Sequence, residues 1–114
     1  MGDNEFLATH TQELRRGTVV LACLLALRRP GYGYGLLDAL AQAGVPVAAN
    51  TLYPLLRRLE AQGLLVSEWD TTEARPRKFY VTSPAGVEMA RKLRTEWEEL
   101  GAALRLLDSE GDPK

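Results

Sequence analysis

The hydrophobic positions along the chain predict three helices in its first half. Between Thr11 and Arg29 the middle of the segment is apolar nearly all round, which predicts a central, buried helix. Pro30-Gly31 should end that helix, and Tyr32-Gly33-Tyr34-Gly35 is predicted to form a glycine-spaced turn. A shorter helix starts at about Tyr34 and ends at Gly44, with leucines on one face.

The third predicted helix has the most regular pattern. It begins near Asn50 or Thr51, which are both good N-caps, and ends at Gly63. With Thr51 as the cap, Pro54 occupies the third helical position, where its missing N–H costs no helical bond. Its buried stripe follows the i, i+3, i+4, i+7 pattern and consists of Leu52, Leu55, Leu56 and Leu59. Arg57 points away from that stripe, and Tyr53 and Arg58 lie on its flanks.

Alternating segments follow the third helix. Leu64 to Asp70 and Lys78 to Ser83 are predicted strands of a hairpin, with Pro76 at the edge of the loop. Thr82-Ser83-Pro84 then starts a last helix that runs to about Leu107. Its apolar positions are spaced 3, 4, 3, 4, 3, as in a coiled-coil seam. Because a small domain has little core left to bury so long an apolar stripe, burial against a second copy of the chain is the simplest explanation. These dimer-interface residues are Ala90, Leu93, Trp97, Leu100, Leu104 and Leu107.

The order of the elements predicts a mainly α fold with a small β-hairpin wing (α+β). It is that of a winged helix-turn-helix followed by a long C-terminal dimerisation helix. We expect a mobile N-terminal segment at 1–10 and the winged helix-turn-helix domain at 11–83. The dimerisation helix should cover 84–107, and residues 108–114 should form a disordered tail.

Composition narrows the function. The net charge of −1 and the pI near 5.8 are unusual for a nucleic-acid binder, but Arg75 to Lys78 hold three cations and no anion. The single cysteine, Cys23, lies in an apolar run too short to span a membrane, and nothing at the start resembles a secretory signal. The expected compartment is therefore the cytoplasm. One histidine and one cysteine provide no metal site and no catalytic set, so we expect neither an enzyme nor a cofactor.

At these motifs the sequence resembles the PadR family of transcriptional regulators, in particular its short subfamily with one C-terminal helix. The similarity spans about Leu14 to Leu107. It rests on Arg16-Gly17-Thr18, Tyr32-Gly33-Tyr34-Gly35, Thr51-Leu52-Tyr53-Pro54-Leu55-Leu56-Arg57-Arg58-Leu59-Glu60, Gln62-Gly63-Leu64, Arg77-Lys78-Phe79-Tyr80 and Thr82-Ser83-Pro84-Ala85-Gly86. One departure is Ala48-Ala49-Asn50, where the family usually has Ser-Pro-Gly.

The resemblance implies a homodimeric repressor that binds double-stranded DNA. The third helix would enter the major groove, and the wing would follow the backbone or the minor groove. The candidate DNA-binding residues are Asn50, Thr51, Tyr53, Arg57, Arg58, Arg75, Arg77 and Lys78. Some members of the short subfamily also bind flat apolar effectors between their subunits. Trp97, with Leu93, is the candidate effector site here, although Trp97 could equally pack against its symmetry mate.

Each candidate also has an ordinary structural interpretation. Arg57 and Arg58 could form a solvated helix face, Asn50 and Thr51 could act only as caps, and Arg75, Arg77 and Lys78 could belong to an ordinary charged hairpin. Two functions from other classes stay open. One is a winged-helix module that binds protein and never touches DNA, which the acidic pI supports. The other is a small-molecule-binding protein with a vestigial wing.

Overall fold

The computed structural model describes residues 2–110, with side chains from Asn4 onward, as five helices and a small antiparallel sheet. The α+β fold with a long C-terminal helix is the one predicted. The helices are α1 (Gly2–Arg16), α2 (Val19–Ala26), α3 (Gly33–Ala43), α4 (Ala49–Ala61) and α5 (Pro84–Glu110). The strands are β1 (Gly31–Tyr32), β2 (Leu65–Asp70) and β3 (Arg77–Thr82).

The core forms around α2, as its apolar sequence predicted. Cys23 and Leu24 of this helix are completely buried and pack with the inward leucines of α3 and α4. Burial raises the pKa of the Cys23 thiol to about 11, because the apolar core disfavours the thiolate. Cys23 is therefore an inert core residue. The buried set is completed by Val19, Leu27, Leu36, Leu40, Leu52, Leu55, Leu56, Leu59, Leu65, Tyr80 and Ala90.

The N-terminal part differs from the prediction at two points. Residues 2–10, expected to be mobile, belong to helix α1, and the single helix expected from Thr11 to Arg29 is divided at Gly17 and Thr18. Glycine costs about 1 kcal/mol in a helix interior, which favours a break there. Thr18 stabilises the end of α1, since its backbone N–H and its hydroxyl both donate to the Arg15 carbonyl, at 2.9 and 2.6 Å.

The sheet contains one strand that the sequence pattern did not predict. The strand order is β1-β3-β2, so β3 is central, and β1 pairs Gly31 with Tyr80 and Tyr32 with Phe79. A two-residue strand is too short to show an alternating pattern, and the glycine-spaced segment was expected to be a turn. Its pairing ties the start of α3 to the wing that β2 and β3 form.

Helix α4 begins earlier than predicted. Its N-cap is Ala48, whose carbonyl accepts the Leu52 N–H at 2.9 Å, and no side chain caps this end. The assignment of Asn50 or Thr51 as the cap is therefore wrong. Pro54 becomes the sixth helical residue instead of the third, and the Asn50 carbonyl lacks its usual donor. Asn50 and Pro54 are both exposed, so water can satisfy that carbonyl.

Both predicted helix ends at glycine are confirmed. Gly44 ends α3 and Gly63 follows α4, with φ of +96° and +78°, a backbone region in which side chains are strained. The start of α5 is also as predicted. The Ser83 hydroxyl accepts the Gly86 N–H at 3.0 Å and donates to the Gly63 carbonyl at 2.6 Å.

Helix α5 continues well beyond the core. Its 27 residues make it about 40 Å long, and the described chain has a radius of gyration of 17.2 Å, against about 13 Å for a compact chain of this length. The first part packs on α2 and β3, where Ala90 is only 3% exposed. Ala90 was predicted on the dimer face; it belongs instead to the chain's own core.

Residues 108–110 are helical, and 111–114 of the expected tail lie outside the described residues. Among the described helices, none combines the length and the apolar character needed to cross a membrane.

We predict that Gly86→Ala destabilises the fold strongly. An added Cβ would lie 2.1 Å from the Leu64 carbonyl oxygen, and that backbone oxygen cannot move without disturbing the bond it accepts from Ser83. The free energy of unfolding should fall by about 1–3 kcal/mol, the usual effect of overpacking. Gly35→Ala is the matched control, because nothing lies within 4 Å of its Cβ. It should be neutral or stabilise by up to ~1 kcal/mol. Equal effects in urea unfolding would contradict this account.

Candidate nucleic-acid interface

The outward face of α4 presents two arginines to solvent. Because the leucine stripe is buried in the core, Arg57 and Arg58 are held on the exposed side of the helix. Neither guanidinium forms an ion pair or a side-chain hydrogen bond with any residue in the described part of the chain. Both charges are therefore available to an external anion.

The N-terminal end of α4 is also open. Asn50 and Thr51 are exposed, and neither side chain is used as a cap. The first amide groups of a helix have no intrahelical acceptors and carry a partial positive charge. This end of α4 can therefore donate hydrogen bonds to an anion or to a base edge.

Tyr53 lies between α4, the start of α3 and the wing. Its ring occupies the space that a side chain at residue 33 would fill, since a Cβ on Gly33 would lie 2.4 Å from its Cε1. The same ring lines a recess of about 300 Å³ together with Tyr80, Arg77 and Lys78. The ring thus packs against the start of α3 and shares the recess with residues of the wing root.

The three wing cations differ in whether their charges are compensated by partners within the chain. The register pairs Asp70 with Arg77 and Trp69 with Lys78, so Arg77 and Lys78 face opposite sides of the sheet, as alternation predicted. Arg75, in the loop, is exposed and has no ion-pair partner among the described residues. Of the three predicted wing cations, it is the one with an uncommitted charge.

Lys78 is paired with the C-terminal part of α4. Its ammonium lies 3.3 Å from a Glu60 carboxylate oxygen and 5.4 Å from the centre of the Tyr80 ring. Glu60 also accepts a hydrogen bond from the Ser67 hydroxyl, which with Lys78 lowers the pKa of this carboxyl group. Glu60 therefore neutralises Lys78 and joins α4 to both strands of the wing.

Arg77 is held by an aromatic cluster. Its guanidinium stacks on the Tyr32 ring, 4.1 Å from the centroid, and donates to the Tyr34 hydroxyl at 2.5 Å. Tyr32 and Tyr34 are themselves stacked, with centroids 6.2 Å apart. Glu73 lies 3.9 Å from the same guanidinium. Arg77 is thus an ordered part of the wing root, and its charge is partly compensated.

Asp70 connects this cluster to the wing loop. Its carboxylate accepts the Tyr32 hydroxyl at 2.5 Å, the Thr72 N–H at 3.0 Å and the Thr72 hydroxyl at 2.7 Å. These bonds lower the pKa of Asp70 to about 2, the Tyr32 bond most, and the same bond raises the pKa of Tyr32. Neither Tyr32 nor Asp70 was predicted from the sequence as part of the site. The Tyr-Gly-Tyr-Gly segment was the only available signal, and it was assigned to a turn.

A second exposed surface lies on α5. Beyond Leu93, which packs partly on the core, Trp97 is 56% exposed and Leu104 61% exposed within the single chain. Leu100 and Leu107 are exposed in the same way, so the predicted seam beyond Leu93 is uncovered within the single chain. A further apolar surface, which was not predicted from the sequence, lies on α1, where Phe6, Leu7 and Leu14 are exposed.

The functional groups that stand out among the described residues are ones that bind anions. The described residues contain no cluster of three or more histidine, cysteine or carboxylate side chains that could hold a metal ion. The accessible groups are the open end and the arginine face of α4, the partly exposed Tyr53 and the exposed Arg75 of the wing. This combination suits a polyanion that follows both α4 and the hairpin.

Comparison with known proteins gives three consistent similarities. Residues 20–92 match the model of the transcriptional regulator PadR-like family. The transcriptional regulator Rv3488 of Mycobacterium tuberculosis is 44% identical over 69 residues, which is 60% of this chain and 64% of that protein. The chain thus spans less than two thirds of this curated relative. A crystal structure of a PadR family regulator from Eggerthella lenta is 46% identical, with a TM-score of 0.91, over 94% of this chain and 96% of that one.

A more distant neighbour is informative about the fold alone. The crystal structure of Bacillus subtilis PadR in complex with operator DNA has 18% sequence identity and a TM-score of 0.62. The similarity covers 67% of this chain and 45% of that one.

Proposed function

Because this chain belongs to the PadR-like family of transcriptional regulators, we propose that it is a homodimeric repressor that binds a palindromic operator. Helix α4 enters the major groove, and the wing follows the adjacent backbone. The protein acts in the cytoplasm. The operator complex of Bacillus subtilis PadR, which shares the fold, supports DNA as the partner.

The observation that carries this proposal is the open arginine face of α4. Arg57 and Arg58 stay exposed and unpaired among the described residues, while Lys78 beside them is neutralised by Glu60. An acidic chain with a pI near 5.8 gains nothing electrostatically from a general attraction to DNA. Its DNA contacts must therefore come from a few uncompensated groups at a defined surface, and these arginines provide them.

The remaining groups have distinct places in the proposed interface. Asn50 and Thr51, at the open end of α4, reach base edges or phosphates, and the Tyr53 hydroxyl reaches a phosphate beside them. Arg75 contacts the backbone from the wing. Arg77 and Lys78 contribute mainly by ordering the wing, because each already has partners within the chain. Each phosphate contact steepens the salt dependence of binding by about one unit in the log–log slope.

The homodimer forms through the uncovered stripe of α5. Trp97, Leu100, Leu104 and Leu107 expose more than half of their surface in the single chain, and a second copy would bury them. The exposed apolar residues of α1 add to the surface that a partner can cover. Two-fold symmetry then places the two α4 helices about 34 Å apart, one turn of DNA.

A flat apolar effector binds between the subunits in this proposal. Trp97 offers an exposed aromatic face in the middle of the stripe, and Leu93 lies at its inner end. Effector binding favours a dimer in which the α4 helices no longer match successive grooves. The affinity for the operator then falls by the ratio of the effector's affinities for the two dimer geometries.

Arg57→Glu should abolish binding to a DNA fragment that carries the promoter of the protein's own gene. The change replaces an attractive charge by a repulsive one on the face of α4 that meets the duplex. The measurement is a gel shift, with circular dichroism to show that the helices are retained. Arg91→Glu is the control, since Arg91 is an exposed arginine on α5, outside the proposed interface, and pairs there with Glu88. It makes the same change in net charge and should leave binding nearly unaltered.

Failure of the wild-type protein to shift any DNA would instead favour the protein-binding module. That alternative is supported by the two carboxylates that compensate wing cations, Glu60 beside Lys78 and Glu73 beside Arg77. Loss of binding in both charge-reversal variants would show that only net charge matters.

Leu104→Glu should convert the dimer to a monomer, because it places a carboxylate in the middle of the apolar stripe. Light scattering after gel filtration measures the mass directly. Val87→Glu is the control, since Val87 is an exposed apolar residue of α5 before the stripe begins. A wild-type mass of one chain, about 12.6 kDa, would contradict the proposed dimer.

Planar aromatic ligands should quench Trp97 fluorescence in a Trp69→Phe background, which leaves Trp97 as the only tryptophan. The same ligands should weaken the gel shift, and Trp97→Ala should remove both effects. A fluorescence that no planar aromatic compound changes would contradict the effector site at Trp97.

A further inference from the structure

Two side chains from distant parts of the chain join the wing to the start of α3. Tyr32, on β1, donates to Asp70 at the end of β2, and the same carboxylate holds the Thr72 N–H and hydroxyl. Arg77, opposite Asp70, stacks on the Tyr32 ring. The two ends of the wing loop, residues 71–76, thus leave from one hydrogen-bonded point.

We propose that the Tyr32–Asp70 pair positions the wing so that Arg75 reaches the DNA backbone. The inference rests on the proposed function and adds a role for two residues outside the predicted interface. Arg75 is five residues beyond Asp70 in an exposed loop, and no described side chain holds its guanidinium. Its place is therefore set by how the loop leaves the sheet. Asp70 fixes that start through Thr72, and Tyr32 fixes Asp70 against the domain.

The negative charge of Asp70 allows positioning of the wing to be distinguished from a purely electrostatic effect. A carboxylate near a DNA-binding surface repels phosphates, so removing it should tighten binding if electrostatics alone matters. If Asp70 positions Arg75, removing it should weaken binding despite the more favourable net charge. The two accounts therefore predict changes of opposite sign.

The test measures the affinity of variants for a DNA fragment carrying the promoter of the protein's own gene, by fluorescence anisotropy at several salt concentrations. Asp70→Ala and Tyr32→Phe should each weaken binding about fivefold, which corresponds to the loss of the one hydrogen bond that Arg75 makes to a phosphate. Asp70→Asn keeps an acceptor oxygen and should retain more affinity than Asp70→Ala. Glu73→Gln is the control for charge, because the Glu73 side chain is exposed, lies 3.9 Å from Arg77 and forms no hydrogen bond with Tyr32 or Thr72. It should bind at least as tightly as wild type.

Two double variants separate positioning from general stability. Tyr32→Phe combined with Asp70→Ala should be no weaker than the weaker single variant, because both remove the same tie. Arg75→Ala should weaken wild-type binding and lower the salt slope by about one unit. In the Asp70→Ala background it should have no further effect, since Arg75 no longer reaches the backbone. Thermal unfolding of each variant shows that the fold is kept.

The proposal is overturned if Asp70→Ala binds as tightly as wild type or tighter, or if Arg75→Ala has its full effect in that background. If Asp70→Ala does not fold, Tyr32→Phe tests the proposal instead, because it removes one hydroxyl and changes no charge. Unaltered affinity in Tyr32→Phe also overturns the proposal. A wild-type protein that binds no DNA contradicts the proposed function itself, and with it any role of the pair in binding.

Discussion

Burial of the α4 leucine stripe is the constraint on which the rest of the structure depends. Leu52, Leu55, Leu56 and Leu59 are each at most 8% exposed, and together they fix the rotation of the helix about its axis. Each buried leucine contributes roughly 1.5–3 kcal/mol, so turning α4 to hide its arginines would cost more than any surface ion pair returns. The exposure of Arg57 and Arg58 is therefore enforced by the core.

The sequence predicted those parts of the fold in which a period of hydrophobic residues repeats several times. The α4 stripe, the hairpin and α5 were located to within a few residues. The start of α4 was misplaced because a hydroxyl or amide at 50 and 51 looked like a better cap than Ala48, whereas the helix begins with no side-chain cap at all. Strand β1 was missed since two residues carry no period. The break at Gly17 lies within an otherwise continuous helical pattern.

The sequence alone does not show which charges meet across the fold. Alternation places Arg77 and Lys78 on opposite faces of the sheet, but it does not show that Lys78 pairs with Glu60 or that Arg77 stacks on Tyr32. Such pairs join residues 18 and 45 positions apart, and no local spacing indicates them. Tyr32 and Asp70, which are 38 positions apart, were missed for the same reason. The spacing of Ala90 fits the heptad seam, yet its side chain is buried in the core of the single chain. The reason is that α5 still packs on α2 where the seam begins.

The uncovered half of α5 has a consequence for regulation in the cell. If only paired chains hold two α4 helices at the spacing of successive grooves, the concentration of active protein rises with the square of the chain concentration while most chains are single. Operator occupancy then responds steeply to synthesis and dilution. A regulator built in this way would sense its own abundance, even before any small molecule is present.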